Sequence, residues 1–184
     1  MIYGDGLERA IHAAIAAHDG QYRKNGDGVP YVVHPLQVAL YLAHAGCEEA
    51  AVTAGVLHDV VEDCDDWTLV RVEVEFGVDV AAIVDDLTED KSLSWTERKQ
   101  WAVDHVPTMR ADAVAVKAAD KLHNLSSLRA SLRDASDPDE VWKHFKGGRE
   151  RTLVMARALV DALCERAPLA LAGPLARVMA DLES

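Results

Sequence analysis

The chain has 184 residues, 49% of them hydrophobic, and a formal net charge of −12. That length suits one domain with a full core, spanning 1–184, and the negative field speaks against broad nucleic-acid binding, which needs a basic face; a phosphate-bearing ligand fits only where Lys, Arg or a metal gather locally. Cys47, Cys64 and Cys164 are odd in number and widely spaced, which argues against a disulfide framework or a Cys-type zinc site and for a reducing, cytoplasmic compartment.

Helical spacing dominates and strand-like alternation is scarce, so the expected class is all-α, one compact multi-helix domain. The start, MIYGDGLERA, has neither the basic nor the apolar region of a signal peptide. Leu7, Ile11 and Ile15 open a first helix that ends near His18. Gly20, Gly26, Gly28, Pro30 and Pro35 make 19–35 a loop, with Pro35 suited to the first turn of a helix over 35–45. Further helices are expected at 48–63, from Trp67 to before Gly77 with Thr68 or Asp66 as cap, and at 78–88. A polar loop, 89–94, follows. Helices over 95–105, 109–133 and 138–166 come next; Pro168, Gly173 and Pro174 then break the chain before a short amphipathic tail helix, 174–182. The domain core runs over about 7–165. No apolar run approaches the roughly 20 residues that span a bilayer, so no membrane association is expected.

The chemistry gathers in separated places. His34 precedes Pro35 at a loop-to-helix junction. The doublet His58-Asp59 lies among Val56, Leu57, Val60 and Val61, inside what reads as one continuous buried helix. A buried carboxylate needs a partner. Glu62 and Asp63 follow one turn after His58 and Asp59 and share their face. Three acids and an imidazole on one patch repel each other unless a cation sits among them. A metal near His58 and Asp59 would leave Glu62 and Asp63 to position and deprotonate an attacking water. Asp120 lies in an apolar helix with Asn124 one turn on; the plainer reading pairs it with Lys117 or Lys121. Together two His and two Asp form a mixed N/O set suited to Mn, Fe or Zn.

These residues carry a resemblance. The order His34, His58-Asp59, Asp120 is similar to that of the HD-domain phosphohydrolases. Gly20-Gln21-Tyr22-Arg23-Lys24-Asn25-Gly26, Pro30-Tyr31-Val32-Val33-His34-Pro35 and Leu57-His58-Asp59-Val60-Val61-Glu62-Asp63 resemble the hydrolase domain of RelA/SpoT-like proteins. Phe76-Gly77-Val78-Asp79-Val80, Leu87-Thr88 and Lys117-Ala118-Ala119-Asp120-Lys121-Leu122-His123-Asn124-Leu125 fit the same pattern, so the match covers about 7–165. The resemblance implies a stand-alone small alarmone hydrolase. Such an enzyme removes the 3′-pyrophosphate of guanosine tetra- or pentaphosphate, (p)ppGpp, with a bound Mn(II) and leaves GDP or GTP. It implies His34, His58, Asp59 and Asp120 as metal ligands and Glu62 and Asp63 as the water-activating pair. Arg23, Lys24 and Asn25 match the loop that packs on the base and nearby phosphate, Asn124 a nucleoside contact, Leu128 a pocket wall and Tyr31 a neighbour of the base. From the residues themselves, Arg23 can stack a guanidinium on a purine and Lys24 can offset phosphate charge.

The loop Asn25-Gly26-Asp27-Gly28-Val29-Pro30 departs from the family pattern. It is longer than the usual spacing and carries Asn25 where Ser is common. Because it borders the base pocket, adenosine alarmones, (p)ppApp, or a phosphorylated dinucleotide such as NADPH stand as alternative substrates. A catalytically silent nucleotide-binding module is the reading from another class. Lys143, His144, Lys146, Arg149 and Arg151 form a basic run that reads first as a solvated helix face; Lys143, Lys146 or Arg149 reaching the 5′-phosphates is the functional alternative. His123 reads as structural, with a donor role behind the site as the alternative. His12, His18, His44 and His105 have no acid constellation in sequence and read as surface or packing residues, and Trp67, Trp95, Trp101 and Trp142 as helix-packing residues. The tail face of Leu175, Val178, Met179 and Leu182 docks on its own domain or on a second copy in a homo-oligomer.

Overall fold

A computed structural model describes residues 4–23 and 28–184. Among them lie eleven helices and no named strand. In chain order they are α1 (Asp5–Ala17), α2 (Val33–His44), α3 (Glu49–Leu57), α4 (Val60–Asp63), α5 (Leu69–Phe76) and α6 (Val78–Leu87). Then follow α7 (Trp95–His105), α8 (Ala111–Asp134), α9 (Pro138–Trp142), α10 (Gly148–Cys164) and α11 (Leu169–Glu183). An isolated bridge between Tyr22 and Pro30 closes the neck of the first loop.

The core is built round α3. Every residue from Ala51 to Leu57 is buried, and a helix apolar on all sides belongs in the middle of a fold. Helices α1, α2, α6 and α8 pack around it. Gly55 lets α2 come close: a Cβ there would meet Leu42 Cδ1 at 2.5 Å. The long α8 buries nine residues, among them Val114, Val116, Leu122 and Leu125, and each fully buried Val or Leu contributes about 1.5–3 kcal/mol. Helices α2, α3 and α8 are therefore fixed against one another, and each ends in or carries a polar residue that faces their common junction.

Local signals set several boundaries as expected. Thr68 caps α5 by accepting from the Arg71 amide, and Ser94 with Glu97 forms a capping box that starts α7. Three expectations are corrected. The helix over 48–63 is broken at His58-Asp59 into α3 and α4. His58 Nδ1 donates to the Gly55 carbonyl at 2.8 Å, the acceptor a continuing helix would give to the Asp59 amide, so side chain competes with backbone. The helix over 138–166 is split into α9 and α10, with Gly148 at φ +64 at the restart and a Cβ on Gly147 excluded by Trp95 at 2.6 Å. Finally, the tail helix starts at Leu169, not 174: the Pro168 carbonyl accepts from the Leu171 and Ala172 amides, and Pro174 sits inside the helix, close enough to its start that only the pairing to Ala170 is lost. The tail's apolar face, Leu175, Val178, Met179 and Leu182, is buried on its own domain, against α8 and α10.

Candidate metal centre

Four side chains converge at the junction of α2, α3 and α8. His34 enters from the first turn of α2 and is 1% exposed. His58 and Asp59 come from the break between α3 and α4, and Asp120 from the middle of α8. His34 Nε2 lies 3.2 Å from Asp120 Oδ1 and 3.6 Å from Asp59 Oδ2. His58 Nε2 lies 3.1 Å from Asp59 Oδ2 and 3.9 Å from Asp120 Oδ1. One ligand atom each from His34, His58 and Asp120 fall within 4.8 Å of one another. Donors sharing an ion at about 2.0–2.2 Å lie roughly 3–3.5 Å apart, and the separations here, 3.1 to 3.9 Å, are near that spacing.

Each of these groups is held from behind by a second contact. His34 Nδ1 is 2.7 Å from His123 Nδ1. His58 Nδ1 is committed to the Gly55 carbonyl. Asp59 Oδ2 accepts from the Tyr31 hydroxyl at 2.5 Å, and Asp120 Oδ1 from Asn124 Nδ2 at 2.5 Å. Tyr31, expected beside the base, thus has its hydroxyl on a carboxylate of the cluster; Arg23 lies 5.7 Å over its ring and donates to Asn124 Oδ1 at 3.1 Å.

The electrostatics of the cluster call for a cation. Burial opposes charge on His58, but Asp59 and Asp120 push its ring up to about 9. Burial also opposes ionisation of Asp59 and Asp120, yet the two histidines hold both carboxyls well below the ordinary carboxylate range. His58 Nε2 is buried with no hydrogen bond of proper geometry, although Asp59 Oδ2 is near. Without an ion the two carboxylates hold a proton on His58; with Nδ1 committed to the Gly55 carbonyl, it is Nε2 that gives up that proton to a divalent ion, and an imidazole nitrogen beside two carboxylates is a donor set such an ion takes.

With the buried His58 behind them, His34, Asp59 and Asp120 of the cluster line a cavity of about 200 Å³. Glu62 lines it half-buried, with Oε1 accepting from the Glu89 amide at 2.9 Å, and burial raises its carboxyl above the ordinary range. Asp63 is exposed at the rim and pairs with Lys91 at 2.9 Å, so the structure separates the two members of the expected pair. The same cavity is lined by Lys99, Lys117 and Lys121, around Glu89. Glu89 is 2.9 Å from Lys99, 3.4 Å from Arg98 and 3.9 Å from Lys117. Burial works against ionised Glu89, but Lys99 and Lys117 outweigh it and lower its carboxyl. Burial lowers Lys121, and its lysine neighbours add to that. Three lysines against Glu89 leave this part of the cavity lining cationic within an acidic chain.

Sequence spacing missed that part of the lining: Glu89 lay in a polar loop, and Lys117 and Lys121 read as partners of Asp120. It also missed the acid beside His105, whose Nε2 is 2.9 Å from Asp86 Oδ1. His123, read as structural, has its Nδ1 against that of His34, and burial with the nearby His34 and Arg23 pushes its ring down to about 4. Lys24 and Asn25 lie outside the described residues. Lys143 and Lys146 are exposed, Lys143 paired with Glu140. Neither is among the cavity's lining residues, nor is Leu128, which is buried on α8; Leu159 is the apolar side chain there.

An all-helical fold that brings a histidine, a His-Asp doublet and a distant aspartate into one cluster defines the HD domain class. The HD domain family matches residues 10–150, and the chain belongs to it. Among curated relatives, it is similar to the guanosine-3′,5′-bis(diphosphate) 3′-pyrophosphohydrolase MESH1 of Xenopus tropicalis, 39% identical over 146 residues, covering 78% of this chain and 80% of that one. The Homo sapiens MESH1 is 41% identical over 142 residues, covering 76% and 78%. A solved structure of a metazoan orthologue of SpoT, described as hydrolysing ppGpp and acting in starvation responses, superposes with a TM-score of 0.83 at 29% identity over 98% of this chain and 97% of that one. Among the described residues no helix is long and apolar enough to cross a membrane.

Proposed function

We propose that this chain, as a single domain over 1–184, is a metal-dependent (p)ppGpp 3′-pyrophosphohydrolase that releases pyrophosphate and GDP or GTP, with Mn(II) as its ion. It would work in the cytoplasm on a small nucleotide. The observation that carries this reading is the His34, His58, Asp59 and Asp120 cluster at a cavity that also holds a half-buried Glu62 and three lysines. The relatives named above act on the same substrate by name.

Those four residues would hold the ion. A bound divalent ion supplies a Lewis acid for the phosphoryl oxygen and lowers the pKa of water toward neutrality. The chain's own groups supply the rest. Glu62, raised by burial, takes the proton of the attacking water, with Asp63 assisting from the rim. Water oxygen bonds to the phosphorus on the 3′-oxygen, the P–O3′ bond breaks, and the 3′-oxygen leaves with a proton. Lys99, Lys117 and Lys121 offset charge on the pyrophosphate as it departs. Arg23, Lys24, Asn25, Tyr31 and Asn124 would form the nucleoside side, with Leu128 buried beneath them, and the exposed Lys143 and Lys146 would meet 5′-phosphates that reach beyond the cavity lining.

Incubation of Mn-loaded protein with ppGpp, ppApp and NADPH in parallel, with pyrophosphate, phosphate and nucleotide products quantified, tests the proposal. Equimolar pyrophosphate and GDP from ppGpp at the highest kcat/KM is the expected result. Preference for ppApp or NADPH would favour the second reading, which the long loop around Asn25 motivates. No turnover of any of the three by metal-loaded protein would favour the silent module.

A further inference from the structure

We infer that His123 is a positioning residue that sets the tautomer of His34, accepting at Nδ1 the proton His34 must carry there if its Nε2 lone pair is to face a metal. This rests on the reading of His34 as a ligand. The two Nδ1 atoms are 2.7 Å apart, and the rings lie 4.9 Å apart at 25°. His34 is buried, so no solvent competes for the contact. With both rings neutral, as metal binding requires of His34, one hydrogen lies between the two nitrogens, and it has two arrangements.

In the first, His34 Nδ1–H donates to His123. His34 Nε2 is then a bare lone pair aimed at the point between Asp59 and Asp120, and His123 carries its own hydrogen on Nε2. In the second, His123 donates, His34 carries its hydrogen on Nε2, and that hydrogen points at Asp120 Oδ1, 3.2 Å away. The second arrangement satisfies the carboxylate with a proton and leaves no nitrogen donor for a cation. The direction of one hydrogen bond therefore separates a metal-binding from a closed cluster. The other three ligands have no such choice: His58 Nδ1 faces a carbonyl, which can only accept, and the carboxylates face a hydroxyl and an amide nitrogen, which donate. His34 alone depends on the state of its neighbour. Because His123 sits on α8, three residues after Asp120, that one helix supplies a ligand and orients another from α2.

The test compares His123→Asn, whose Oδ1 places an acceptor near the position of Nδ1, with His123→Leu, which keeps bulk and removes the acceptor. Mn(II) affinity is read by equilibrium dialysis, and thermal unfolding by circular dichroism in metal-free buffer. His123→Leu is expected to weaken Mn(II) about 10–100-fold, the usual cost of losing the group behind a ligand. His123→Asn is expected to recover most of that affinity at a similar melting temperature. Equal affinity in wild type and His123→Leu, or equal losses in the two variants, overturns the proposal. His34→Asn is the control: if it binds Mn(II) as wild type does, the ligand reading fails independently of His123. Long-range ¹H–¹⁵N spectra of the zinc-loaded protein give the direction itself. They should show the hydrogen on Nδ1 of His34 and on Nε2 of His123, and the opposite assignment contradicts the inference.

Discussion

The floor and the rim of the cavity are built differently. On the floor, His34, His58, Asp59 and Asp120 come from packed helices, and each is fixed by a second group of the chain. On the rim Asp63 pairs with Lys91, and outside the residues that line the cavity Lys143 pairs with Glu140, both in exposed contacts. Buried groups with fixed partners keep one geometry whatever ligand arrives, whereas exposed ion pairs exchange readily with water and salt. On the proposed function the fixed floor would carry the chemistry, and the exposed charges would only meet the outer phosphates.

The largest effect should follow from removing a floor ligand. Asp59→Ala or His58→Ala is expected to abolish both Mn(II) content and pyrophosphate release, read by elemental analysis and a coupled assay, with helicity retained. If Asp59→Ala kept turnover, the floor would not be the reacting centre. Next, Glu62→Gln should lower kcat by about 10²–10⁴-fold, the range for losing a general base, while metal content stays at one ion per chain. Its pH profile adds a sign. Burial raises the Glu62 carboxyl, so the wild-type acid limb, where activity rises with pH as that group deprotonates, should lie above the ordinary carboxylate range. Glu62→Gln should lose that limb. Tyr31→Phe removes a contact to Asp59 and is expected to weaken Mn(II) by about tenfold, the lower end for an outer partner. Smallest of all, Lys143→Ala and Lys146→Ala should each raise KM by no more than about tenfold at low salt and leave kcat alone, as an exposed charge worth up to about 1 kcal/mol would. A large kcat loss there would move chemistry to the exposed charges and erase the contrast.

Much of the floor was legible because its residues sit in short motifs whose local surroundings are apolar: His34 before Pro35, His58-Asp59 among valines, Asp120 in an alanine-rich helix. The helical class was legible for the same reason, and α7 appeared at its expected bounds of 95–105. What stayed hidden depends on contacts across the chain. The His34–His123 bond spans 89 residues and the Glu62–Glu89 bond 27; nothing near either residue in sequence announces its partner. The break at His58 was hidden because the competing acceptor is a backbone carbonyl, which every residue has. The lysine lining was hidden because Lys99, Lys117 and Lys121 come from two helices and look like ordinary surface charge until α7 is laid against the cavity.

The most direct test of the metal floor is a Mn(II) titration of the wild type beside His34→Ala, His58→Ala, Asp59→Ala and Asp120→Ala by equilibrium dialysis. One ion per chain in the wild type, lost or severely weakened in every variant, is the expected result. Undiminished binding in these variants would place the ion elsewhere and contradict the account.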